Sequence, residues 1–81
     1  MQHLKQADFS KADWQMLTKW WAKGKREVLI SHTNENGEWL WAVVMADDEG
    51  FWLDALKTED AARKWATDAG MTVVNSVGHH P

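Results

Sequence analysis

The spacing of apolar positions changes along the chain, and each change marks an element. From Trp14 to Trp21 they recur three and four residues apart. Trp14, Leu17 and Trp21 form one helical seam; Phe9, Met16 and Trp20 form a second, about 100° away. This predicts a helix over residues 11–23. Ser10 stands where an N-cap hydroxyl would accept a backbone N–H, with Asp13 at the third helical position. Phe9 and Trp14 have the spacing of a hydrophobic staple, and Gly24, flanked by Lys23 and Lys25, suits the residue after the helix end. One seam can lie on the protein's own sheet; the other needs a further covering surface.

Beyond Arg26 the pattern turns to β-branched and aromatic runs. Asn34-Glu35-Asn36-Gly37 separates a run from Glu27 to Thr33 from one spanning Glu38 to Ala46, and Asp47-Asp48-Glu49-Gly50 separates that from Phe51 to Leu56. Both separators have hairpin chemistry, so the runs predict a three-stranded antiparallel meander. Pairing across such turns puts Val28, Ile30, His32, Trp39, Trp41, Val43, Met45, Trp52 and Leu56 on one face. Leu29, Ser31, Leu40, Ala42, Val44, Ala46, Phe51, Leu53 and Ala55 fall on the other. The middle run is apolar on both faces, whereas a sheet with one wet face would alternate. Either one helix covers each face, or both cover the same face and a partner or second copy takes the other.

Thr58 reads as the cap of a second helix, with Glu59 and Asp60 in its first turn and Ala62, Trp65, Ala66 and Ala69 as a narrow stripe. Gly70 ends it and Met71 can fold back on Ala66. Met71 to Val77 is an apolar run able to add a fourth strand. The fold class expected is α+β in the order α-β-β-β-α(-β), a single small domain over residues 1–81 with frayed termini at 1–8 and 78–81.

Composition sharpens this picture. Seven of the 81 residues are tryptophan, at 14, 20, 21, 39, 41, 52 and 65. So short a chain has little interior in which to hide indoles, and each buried one needs a partner for its N–H. Trp14 and Trp65 are expected to be structural. Trp20, Trp21, Trp39, Trp41 and Trp52 are the candidates for contact with a partner, with Trp39, Trp41 and Trp52 expected to cluster across strands on one face. There is no cysteine, hence no disulfide framework and no thiolate metal site. Charges through the first twenty residues exclude the apolar core of a signal peptide, and no apolar run reaches the length of a membrane span. A cytoplasmic protein is the expectation.

Charge is segregated. Residues 1–26 carry six bases and two acids, a net +4, and the remainder three bases and ten acids, a net −7, which together give −3. In Lys19-Trp20-Trp21-Ala22-Lys23-Gly24-Lys25-Arg26 bases interleave with aromatics. Lys19, Lys23, Lys25 and Arg26 are therefore the alternative, nucleic-acid-binding set. The acidic remainder would repel a polyanion. A simpler reading makes the indoles packing residues and the bases complements of a helix end. The element order is similar to that of double-stranded-RNA-binding domains. Those domains set a basic cluster at the start of the last helix, where this chain has Thr58-Glu59-Asp60, so no membership is assigned.

Catalytic chemistry is sparse. Asp47, Asp48 and Glu49 lack the spacing of a calcium loop and read as a solvated turn. His79 and His80 have no third metal ligand. His32 with Asp54 makes a dyad only under one register. The glycines are scattered at turns and form no phosphate loop. No enzyme, cofactor, metal or small-molecule ligand is expected. The function expected is that of a protein–protein interaction module presenting a tryptophan-rich patch to itself or to a host protein. Accessory and inhibitor-type proteins of phages and mobile elements are similar in size and composition.

Overall fold

A computed structural model describes residues 4–77. A 3-10 turn, Gln6–Asp8, precedes helix α1, Lys11–Ala22. Strands β1 (Glu27–Glu35), β2 (Glu38–Met45) and β3 (Asp48–Leu56) follow, then helix α2 (Glu59–Asp68) and strand β4 (Thr72–Val77). The fold is α+β in the order expected. Within the segment ahead of α1, Leu4 is buried in the core, whereas Lys5 to Asp8 are exposed. Residues 78–81, and the His79–His80 pair with them, lie outside the described residues.

Local signals form both helices. Ser10 Oγ accepts the Asp13 N–H at 3.1 Å, and Thr58 Oγ1 accepts the Ala61 N–H at 3.0 Å. The staple closes with Phe9 and Trp14 ring centroids 5.8 Å apart. Both helices end in the same motif. Gly24 (φ 81°) and Gly70 (φ 86°) take the left-handed conformation that only glycine adopts cheaply. The next residues, Lys25 and Met71, donate back to the Trp20 and Ala66 carbonyls.

The sheet order is β3-β2-β1-β4. The three hairpin strands are antiparallel, whereas β4 runs parallel to β1, since the helical crossover returns the chain in the same direction. The first turn is tighter than the separator suggests. Glu35 pairs with Glu38, leaving Asn36 (φ 54°) and Gly37 (φ 87°) as a two-residue turn with both φ values positive. The second turn tightens likewise: Met45 pairs with Asp48, and Gly50 falls within β3.

One cluster joins Leu17 and Trp20 of α1, Ala62 and Ala66 of α2, and Val28, Ile30, Val43 and Met45 of the inner strands. Both helices therefore seat on the same face. The two seams of α1 merge into one broad stripe: Leu17 and Trp20 are buried, and Trp14 and Trp21 flank them. Of the second seam only Met16 is left out, 39% exposed.

Ile30 is fully buried at the centre of this cluster. Ile30→Ala is expected to lower unfolding stability by about 2–5 kcal/mol, measured by chemical denaturation. The exposed cap change Thr58→Ala should cost about 1 kcal/mol.

Candidate interaction surface

The face away from the helices is built by alternation. On β1 and β2 the residues paired across it are Leu29 with Val44, Ser31 with Ala42 and Thr33 with Leu40. On β3, Ala55 pairs with Ala42 and Trp52 with Val44. Val44 is 2% exposed between Leu29 and Trp52, and Ala42 is 0% exposed between Ser31 and Ala55. The face thus shields its own centre, though among the described residues no helix lies over it. None of these positions carries a charge. Glu27, Glu35 and Glu38 stand at its ends, with Lys57 4.0 Å from Glu38.

A one-residue irregularity in β3 decides what the edge of this face displays. Val43 pairs with Asp54 but Val44 pairs with Trp52, so Leu53 is an extra residue. Below that point the alternation inverts. Phe51 and Leu53, expected on the uncovered side, enter the core, and Trp52 turns outward, 37% exposed. The expected three-indole cluster therefore does not form. Trp41 and Trp39 remain on the helix side, with His32 between them. The imidazole stacks on Trp41 at 4.2 Å and 10° and lies tilted 4.9 Å from Trp39. The same register sets Leu56, not Asp54, opposite Trp41 in the row that holds His32, so the drawn dyad is not assembled.

The five partner-contact candidates thus separate. Trp20 is 6% exposed and belongs to the core. Trp21 and Trp41 pack against the core and are half-buried. Trp39, 47% exposed, and Trp52 present surface, on opposite faces. Trp14 and Trp65 pack against the core, as expected of structural residues. The residues missed by sequence reasoning are Leu29 and Leu40, half-buried on the uncovered face; no residue-level signal sets them apart until both helices are placed.

The basic segment separates too. Arg26 Cζ lies 3.5 Å from the centroid of the Trp21 ring, and its Nη1 donates to the Trp21 and Lys25 carbonyls at 2.6 and 2.8 Å. Its charge serves the end of α1. Lys25 Nζ lies 2.9 Å from Asp47 Oδ2. The Lys25 hydrogen bond holds the Asp47 carboxyl below its ordinary range, with a smaller contribution from Trp20. Asp47 and Asp48 are exposed, and Asp47 is tied to Lys25 just beyond the end of α1. Lys19 and Lys23 have no acidic partner within 4 Å among the described residues.

Among the described residues no three groups are placed to hold a metal ion, no polar side chain is buried, and no helix is long and apolar enough to cross a membrane. Comparison with protein-family models, curated proteins and solved structures gives no match for this chain.

Arg26→Ala is expected to cost about 1–2 kcal/mol in denaturant unfolding, while Lys19→Ala and Lys23→Ala stay within about 0.5 kcal/mol. A lowered carboxylate pKa contributes stability above the unfolded-state pKa, and that contribution is lost as pH falls through the folded value. The difference in stability between the parent and Asp47→Asn should therefore be present at neutral pH and vanish in acid. For an exposed pair it should not exceed about 1 kcal/mol.

Proposed function

We propose that this chain is a small, non-enzymatic protein–protein interaction module of the cytoplasm, whose contact surface is the uncovered apolar sheet face with Trp52 at its edge. The observation that carries this reading is that both helices pack on one face, leaving Leu29, Leu40, Val44 and Trp52 without a layer over them among the described residues. A contiguous uncharged patch of this kind marks interaction sites on soluble proteins. Trp52 supplies the ring type most enriched where binding energy concentrates. The role fits an accessory or inhibitor-type protein of a phage or mobile element.

Size argues for the kind of complex. Four strands of about six residues, spaced about 4.8 Å with a rise of about 3.3 Å per residue, cover roughly 400 Å². Two copies face to face would remove roughly 800 Å² in total, below the roughly 1,200 Å² of stable complexes. A host protein that also reaches the adjoining edges is favoured over a symmetric pair. The nucleic-acid alternative is left with Lys19 and Lys23, since Lys25 and Arg26 are engaged internally.

The test combines light-scattering mass at several concentrations with affinity capture from the native host, at low and high salt. The expected complex survives high salt, as apolar contact does. It is lost in the double variant Leu29→Gln/Leu40→Gln, whose unfolding midpoint stays close to that of the parent. No complex in either setting, or capture unchanged by the double variant, overturns the reading.

A further inference from the structure

Where β3 meets the start of α1, a groove of about 420 Å³ opens beside the uncovered face. Its apolar lining includes Phe9, Trp52, Leu53 and Trp65. Phe9 is fixed by stacking on Phe51 at 6.1 Å and by its staple with Trp14. Around these rings stand four carboxylates, Asp8, Asp13, Glu35 and Asp54, with no Lys, Arg or His among the lining residues.

None of the four carboxylates has a cation within 4 Å among the described residues. The bases beyond residue 26 are spent elsewhere: Arg63 on Glu59 at 3.1 Å and Lys64 on Asp68 at 2.7 Å, both within α2, and Lys57 near Glu38. The groove therefore sets the rings of Trp52 and Trp65, a ring type that attracts cations through its quadrupole, beside four carboxylates with no cation within 4 Å among the described residues. The same carboxylates belong to no group of three able to hold a metal ion. They line a groove, as suits a ligand with several separated cations.

We propose that this groove docks a basic, apolar-anchored segment of a partner protein, its apolar side chains on Phe9 and Leu53 and its cationic groups between the indoles and the carboxylates. The inference rests on the interaction-module reading and names the partner's chemistry: a basic flank beside an apolar patch. Because β3 is an edge strand with two register irregularities, it offers no flat ladder for strand addition. Side chains, not backbone pairing, carry the recognition.

The probe is a short peptide alternating arginine and leucine, titrated into the full chain and followed by calorimetry and by amide and indole NMR resonances. Its counterpart carries glutamate in place of arginine. The arginine peptide is expected to bind, to shift the Trp52 and Trp65 indoles and the Phe9 and Ala55 amides, and to weaken several-fold between about 50 and about 300 mM salt. Glu35→Gln/Asp54→Asn, two exposed positions, should weaken it roughly tenfold while leaving the unfolding midpoint in place. The glutamate peptide should not bind.

Absence of binding, or binding indifferent to the double variant, overturns the proposal. Equal affinity for free arginine amide would make this a small-cation site and overturn the segment. Association of the chain with itself through its own Lys19 and Lys23, abolished by changing both to Ala, would overturn the separate partner. Shifts confined to Leu29 and Leu40 would overturn the groove while leaving the interaction module intact. Peptide binding at the groove with no host complex would have the opposite meaning.

Discussion

Leu17 and Trp20 of α1 press on the same side of the sheet as Ala62 and Ala66 of α2, and most other features follow from that shared seat. A chain of 81 residues with two helices can cover two sheet faces thinly or one face well. Covering one well gives a continuous core from Leu4 to Met71. The opposite face then has to manage with its own side chains. It does so by setting small or branched residues, Ala42 and Val44, at the centre and larger ones, Leu29 and Trp52, across from Val44. The result is uncharged and only partly hidden.

The tryptophans follow the same division. Trp20 uses its ring in the core and lines one groove with Asp47, which is held by Lys25. Trp21 gives its ring to Arg26, and its outer edge lies 3.5 Å from where a side chain on Gly70 would begin, so it joins the ends of the two helices. Trp41 takes His32. Only indoles on peripheral rows, Trp39 and Trp52, keep broad exposure. Richness in tryptophan is therefore mainly a solution to a small core.

What the sequence discloses is what local geometry fixes. The caps at Ser10 and Thr58 and the glycine ends at 24 and 70 depend on neighbours within a few residues, and each is where the pattern puts it; the Asn36-Gly37 turn is equally local but tighter than its separator. Which residues of β1 and β2 share a face is legible for the same reason, although the separator suggests a four-residue loop and Glu35 pairs with Glu38 across only two residues. The face of Trp52 is not legible. It turns on the extra residue Leu53, which Asp54 beside it does nothing to announce. Whether two helices share a face is a long-range packing choice with no periodic signature. The groove is hidden more deeply still, because its carboxylates come from α1, the segment before it, β1 and β3. They look like scattered surface charge until the chain is folded.

The parallel seat of β4 has a consequence for how the chain is made. Among the described strands β1 emerges first during synthesis, yet its second neighbour in the sheet lies beyond α2. The antiparallel hairpins can pair while the helix and last strand are still to come. At ordinary elongation rates the gap lasts on the order of seconds, long compared with hairpin closure. Throughout it, the flank of β1 with Val28, Leu29 and Ile30 stands open as a strand edge. A nascent chain of this design is exposed to misassociation along β1 until β4 has emerged, and the parallel pairing of β4 covers that edge in one step.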